Sequence, residues 1–164
     1  MVRKISSVLG IDLSSLDRAN ALVACGVFLT TLYVYVTTMA PTLSFWDCGE
    51  FITVATNLGI PHPPGNPFFV MLAHVFGALP LAADYAVRIN LFAALTSAAC
   101  AGLLFLVADR WMRDVVPARW ARLAAAVAGV LVSALTWTVW SQSTVNEKVY
   151  TVSMLSTALV LWLG

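Results

Sequence analysis

No charged residue lies between Arg18 and Asp47, and that interval constrains the fold more than any other feature of the chain. A helix needs about 20 apolar residues to cross the hydrocarbon of a bilayer, and residues 21–40 supply them. Three more intervals follow the pattern. One is uncharged from Ile89 to Ala108 and sets a span at 87–109; the next is apolar from Leu123 and sets a span at 121–139; the last covers 147–164 and is still apolar at Gly164. From Val149 onward that last run is short for a complete crossing, so the chain reads as truncated at its carboxy end. The first apolar run is too long for the core of a cleaved signal peptide and no A-x-A site follows it, so it is expected to stay. Only 10% of the residues are charged, 60% are hydrophobic, and the mean hydropathy is +0.87. Soluble domains carry roughly 25% charged residues. The expected fold class is therefore all-α integral membrane, multi-pass, with about four transmembrane helices. The net charge of +1 comes with no basic run, so no nucleic-acid partner is expected. Cys25, Cys48 and Cys100 show no CxxC spacing and read as small apolar residues.

Charge placement orients these spans. Arg3, Lys4 and Arg18 precede the first, while Arg110, Arg113, Arg119 and Arg122 lie between the second and third. One crossing in each of the first two spans puts both groups on the same side, which the excess of basic residues marks as cytoplasmic. Residues 1–20 then form a cytoplasmic segment, with Ile5, Val8, Leu9, Leu13 and Leu16 suggesting a short surface helix. The loop 41–83 and the connection from Trp140 to Lys148 share the opposite face. The expected localisation is a cell membrane, the inner membrane in a bacterium, with a periplasmic or external active face. Trp137, Trp140 and Tyr150 fit an aromatic belt at that face.

The loop 41–83 holds the polar chemistry. Its core reads FWDCGEFITVATNLGIPHPPGNP, from Phe45 to Pro67. On a helix over 47–58, Asp47 and Glu50 fall on one face, joined by Thr53 and Asn57, while Phe51, Ile52, Ala55 and Leu58 point the other way. Asp47 stands at the first turn, where a carboxylate is favoured, and Glu50 is spaced to reach back as the second half of a capping box. His62-Pro63-Pro64-Gly65-Asn66-Pro67 excludes regular structure. A second apolar helix over 67–79 is too short to span, so both helices are expected at the outer interface. His74 within it reads as a packed histidine. Asp84 and Arg88, four apart, fit either an intrahelical ion pair or an arginine poised for an anionic phosphate.

The motifs FWDCGEF, HPPGNPFF, RINLFAALTSA and TWTVWSQSTVNEKVYT occur in this order over about residues 40–161. The pattern resembles the amino-terminal part of GT-C membrane glycosyltransferases, the superfamily of the protein O-mannosyltransferases, and more closely the domain-of-unknown-function family 2723 of transmembrane protein 260-like proteins. That resemblance implies a GT-C-type helical bundle fragment, a polyprenyl-phosphate sugar as donor, a protein or glycan acceptor, and transfer on the outer face. By analogy Asp47, the acid opening the first outer helix, is the general base. Family members are much longer, so the remainder, carried as a separate chain, is a further expected partner.

Such a transfer needs a base for the acceptor proton and cations for the leaving phosphate. Asp47 or Glu50 can supply the base, and partial screening from water would raise the acid's pKa toward a useful range. Arg88 and Lys148 are the cations expected on the outer face and can stabilise the donor phosphate. His62 can orient an acid or the phosphate; Asn66, Glu147 and Tyr150 complete the expected substrate contacts. Asp47, Glu50 and His62 could in principle hold a divalent metal but match no specific metal signature, so no cofactor is required beyond the lipid-linked donor itself. Two other readings are a non-catalytic transporter or assembly subunit and an inactive fragment of a split gene. Transporters favour charges within their spans, and these spans hold none away from their ends.

Overall fold

A computed structural model describes residues 17–44, 46–146 and 149–164. The expected surface helix over the first residues, Glu147 and Lys148 all lie outside the described residues. Within them the chain is helical, with seven helices: α1 Arg18–Thr38, α2 Cys48–Asn57, α3 Pro67–Gly77, α4 Tyr85–Trp111, α5 Arg119–Ala134, α6 Trp137–Thr144 and α7 Tyr150–Leu163.

Two helices, α1 and α4, are long and apolar enough to cross a membrane, in agreement with the spans expected at 21–40 and 87–109. They differ in place. In the apolar windows of the two helices, 67% of α4 is buried but only 17% of α1. Helix α4 is the central post, and α1 leans on it while exposing Leu22, Leu29 and Tyr33, as a lipid-facing helix should. Contact is close at Gly102, where a Cβ would stand 3.3 Å from the Ala24 carbonyl oxygen and 3.6 Å from Phe28.

The other two expected spans take different forms. The stretch 121–139 is not one helix: α5 stops at Ala134, and α6 leaves at 65° to it. The local cause is Thr136, whose hydroxyl donates to the Ser133 carbonyl at 2.7 Å while its backbone turns extended (φ −60°, ψ 148°). Tyr35, fully buried on α1, donates its hydroxyl to the Ala134 carbonyl at 2.8 Å, giving one of the exposed helix-end acceptors a partner. The fourth segment forms α7, an apolar helix of 14 residues over Tyr150–Leu163. Among the described residues, two helices, or three if the bent α5–α6 pair counts as one, are long and apolar enough to cross a membrane.

The outer helices fall close to expectation, at 48–57 and 67–77 rather than 47–58 and 67–79. They do more than lie on a surface. Phe51, Ile52, Val54 and Ala55 of α2 and Phe69, Val70 and Ala73 of α3 share a core with Ile89 and Phe92 of α4 and Val152 of α7. Aromatic rings run through it from His62 to Phe51, Phe69 and Phe92 at centroid spacings of 5.6–6.2 Å. His74 is packed as expected, its Nδ1 bonded to the Ala55 carbonyl at 2.8 Å. Leu58, expected to point inward, is instead exposed because it ends α2 in the left-handed region (φ 54°).

Hydrogen bonds fix which ends meet. The Ala40 amide donates to the Thr144 carbonyl at 3.0 Å. Asn90, fully buried on α4, donates through Nδ2 to the carbonyls of Ala40 and Thr42 and accepts from the Asn146 amide through Oδ1. The polar stretch after α1 and the connection before α7 therefore lie at one end of the bundle, as the charge distribution requires. At the opposite end α1 begins, α4 finishes and α5 begins. Asp109, fully buried there, accepts from Asn20 Nδ2 and Arg122 Nε, both at 2.7 Å, and Arg119 pairs with Asp17 at 2.6 Å.

Candidate functional site

The backbone around the polar end is unusual before any side chain is considered. Trp46, Leu58 and Asn66 have positive φ (67°, 54° and 39°), and among the described residues no other non-glycine residue does. Asparagine tolerates this region, but for Trp and Leu it costs about 1–2 kcal/mol each. Strained positions collected in one 21-residue stretch mark a place where the surrounding structure dictates geometry.

Asp47 is the N-cap residue of α2, and its side chain makes no capping hydrogen bond. The expected capping box is replaced by a different link. Glu50 accepts from the His62 backbone amide through Oε1 at 2.6 Å and from His62 Nδ1 through Oε2 at 2.8 Å. Its partner fixes the tautomer, since an ionised carboxylate only accepts and Nδ1 must therefore carry the proton. The turn after Leu58 makes this possible by folding the Pro-rich segment back along α2, and it includes the cis Pro63–Pro64 peptide and Gly65 at φ 84°. The link sits in the open, with side-chain exposures of 38% for Glu50 and 45% for His62. The expected upward pKa shift does not occur at Glu50: hydrogen bonds from the His62 ring and then its amide hold the carboxyl below the ordinary range.

Asp47, Glu50 and His62 each bring one potential ligand atom to within 4.8 Å of the others. Two carboxylates and an imidazole form a donor set that a divalent cation accepts. The three residues can equally serve proton transfer.

The remaining expected residues are spread around this cluster. Asn66 is the N-cap of α3, with Pro67 in the first turn. It borders a 230 Å³ cavity shared with Val149, Val152 and Ser153, so the Pro-rich segment meets the start of α7. Tyr150 opens α7, is 48% exposed, and lines a separate groove of about 600 Å³ with Gln142, Cys100, Leu104, Met154 and Ala158. No Asp84–Arg88 ion pair forms among the described residues; Asp84 instead caps α4 by accepting from the Ala86 amide at 2.8 Å. Arg88 donates to the carbonyls of Ala82, Gly77 and Ala83, tying down the connection between α3 and α4.

Two residues that organise this end escaped the reading of the sequence. Asn90 offered a signal, being an amide inside an otherwise apolar span, where polar residues are rare and purposeful. Asn146 offered none, since STVNEK reads as a solvated loop. Yet Asn146 is fully buried, and among the described residues neither its side-chain oxygen nor its nitrogen has a hydrogen-bond partner.

Comparison with known proteins places the chain in a family. The mouse protein O-mannosyl-transferase TMEM260 is 39% identical over 84 residues, covering 51% of this chain and 12% of its own length. The corresponding protein of Dictyostelium discoideum is 26% identical over 146 residues, covering 87% of this chain and 17% of its own. The chain thus spans less than a fifth of the curated relatives it matches. No solved structure matches it. The profile of the protein O-mannosyl-transferase TMEM260 N-terminal domain matches residues 47–164, beginning at the acid that opens α2, and the chain belongs to that family.

Proposed function

We propose that this chain is the amino-terminal part of a GT-C-type membrane glycosyltransferase that moves a mannosyl unit from a polyprenyl-phosphate donor to a hydroxyl of a protein acceptor. The observation that carries the reading is the meeting of Asp47, Glu50 and His62 at one end of a membrane-type bundle, in a chain whose relatives are named as protein O-mannosyl-transferases. On this reading the polar end faces the outside of the cell or the periplasm.

The acids divide the work. Both Glu50 oxygens are held by His62, and its lowered pKa makes it a poor proton acceptor. Glu50 therefore positions the Pro-rich segment, and Asp47 is the base. The acceptor oxygen bonds to the anomeric carbon, its proton passes to Asp47, and the anomeric carbon–oxygen bond breaks with its electron pair leaving on the phosphate. Arg88 spends three of its five N–H donors on carbonyls and keeps two for phosphate oxygens; Lys148 adds a second cation. Glu147, Asn66 and Tyr150 contact the sugar or the acceptor. The groove bordered by Leu104, Met154 and Ala158 and closed by Gln142 and Tyr150 suits the first isoprene units of the donor.

The test is Asp47→Asn in the full-length protein, with donor and acceptor saturating and EDTA present throughout. Turnover should fall roughly 10²-fold or more, with donor binding and folding retained, since no capping bond is lost. Near-normal transfer by the folded variant removes Asp47 from the mechanism. Loss of wild-type transfer on adding EDTA, restored by a divalent ion, turns the cluster into a metal site.

A further inference from the structure

A second hollow lies along the same face of α2. It holds about 360 Å³ and is lined by Thr53, Thr56 and Asn57 of α2, Asp84 and Tyr85 at the head of α4, and Thr42 from the preceding loop, with Leu43, Ile52 and Ala86 as its apolar part. Thr53 is six residues beyond Asp47, so the hollow begins about 9 Å along the helix axis from the acid.

Its rim is rich in acceptors, with the Asn57 amide nitrogen, whose oxygen accepts from the Gly59 amide, as a donor beside them. The Thr53 hydroxyl donates to the Gly49 carbonyl at 2.7 Å and the Thr56 hydroxyl to the Ile52 carbonyl at 2.9 Å. Both donors are spent on the backbone, which leaves the oxygens as acceptors. Asp84 uses Oδ1 for the Ala86 amide and has no cationic partner among the described residues, because Arg88 has turned to the carbonyls of the 77–83 connection. The rim therefore offers several oxygen acceptors and one carboxylate. An anion is repelled there, whereas a ligand carrying several O–H donors is matched.

The Tyr85 ring forms a wall of fixed position. Its hydroxyl lies so close to Gly77 that no Cβ would fit there, so the ring is seated against the end of α3. An aromatic wall beside a carboxylate, an amide and two hydroxyls meets both faces of a pyranose: hydroxyls toward the acceptors and the apolar C–H face toward the ring. The volume falls in the range of small-ligand pockets, about 300–1,000 Å³.

We propose that this hollow is a glycosyl subsite, taking one hexose ring against Tyr85 with its hydroxyls donating to Asp84, Thr53 and Thr56. The inference rests on the transfer reading for its purpose but not for its chemistry. The hexose arrives either on the lipid donor or on a sugar already borne by the acceptor.

The experiment uses the chain in lipid nanodiscs with methyl α-D-mannopyranoside as probe, read by saturation-transfer NMR. The mannoside should bind saturably, and Asp84→Asn, which keeps the helix cap, should weaken it roughly ten-fold by removing one charge-assisted hydrogen bond. Thr53→Val with Thr56→Val should weaken it further. Displacement by polyprenyl-phosphate mannose, but not by sugar-free polyprenyl phosphate, identifies the donor sugar as the occupant; retention in the presence of the lipid-linked sugar identifies an acceptor glycan. Absence of saturable binding, or binding unchanged in both the Asp84 and the threonine variants, overturns the subsite. Transfer that depends on Asp47 without mannoside binding sinks the subsite alone, and mannoside binding without any transfer sinks the transfer reading alone.

Discussion

The two ends of this bundle handle charge in opposite ways. At the end where α1 begins, Asp109 is completely buried between Asn20 and Arg122, with Arg113 at 3.7 Å, and Arg119 bridges Asp17 and Asn20. The backbone nearby is ordinary. At the other end the acid–histidine link of Glu50 and His62 is open to solvent, and three non-glycine residues are left-handed. The first arrangement uses charge to hold three helices in register, and the partners leave little capacity for a substrate. The second holds its acids in reach of solvent at the start of a helix flanked by strained residues, at a cost in stability that packing must offset. Charge count alone does not separate structure from chemistry; whether the charges already satisfy one another does.

Topology offers the sharpest way to break this comparison, because its outcome is all or none. In a chain with Cys25, Cys48 and Cys100 changed to alanine, a cysteine at Ile60 (89% exposed) should react with a membrane-impermeant thiol reagent from outside intact cells, while one at Val115 (79% exposed) should not. Cys48 is unsuitable as the native reporter because it is completely buried. Labelling of both from the same side would dissolve the two-ended arrangement.

Asp109 carries the next largest effect. Asp109→Ala leaves Arg122 without its buried acceptor, and removing one partner of such a pair costs about 3–5 kcal/mol. Denaturant unfolding in detergent micelles should show that loss, while turnover per folded molecule stays within a few-fold of wild type. A variant that unfolds normally but no longer transfers sugar would move Asp109 from scaffold to site.

Much of this division was legible in the sequence, for physical reasons that can be named. Long uncharged intervals specify spans with little ambiguity, so α1 and α4 fall where expected. The clustering of arginines against the acids of the outer loop already separated the two ends, and the bond between Ala40 and Thr144 shows that the separation is real. What the sequence hid were choices among hydrogen-bond partners. Asp84 had both the α4 amides and Arg88 within reach, and the amides won. Glu50 was spaced for a capping box, but the return of the Pro-rich segment brought His62 to it. The break after Ala134 carries no proline or glycine; it depends on Thr136 and on Tyr35 from a helix 99 residues away, a contact that no local pattern reveals.

The smallest expected effect sharpens the comparison through two acids that both titrate low, one at each end. Asp17 is held below the ordinary range first by the Asn20 amide and then, against some desolvation, by Arg119. Glu50 is held there first by the His62 ring and then by its amide. A lowered folded-state pKa means that each link is fully present above the unfolded acid's range and is lost as pH falls through the folded value. The Pro-rich segment should therefore stay docked at neutral pH and loosen only in acid. His62→Ala removes the ring donor but leaves the backbone amide, so the Glu50 titration should move up part of the way while Asp17 does not move. Carbon-13 NMR of labelled carboxylates, assigned with Glu50→Gln and Asp17→Asn, reads both at once. Transfer by Glu50→Gln should fall by less than ten-fold at neutral pH, since the amide oxygen still accepts from His62 and the proton goes elsewhere. An unmoved Glu50 titration in His62→Ala would mean that the ring contact does not hold the acid. A fall in Glu50→Gln turnover as large as that of Asp47→Asn would make Glu50 part of the proton transfer rather than its support.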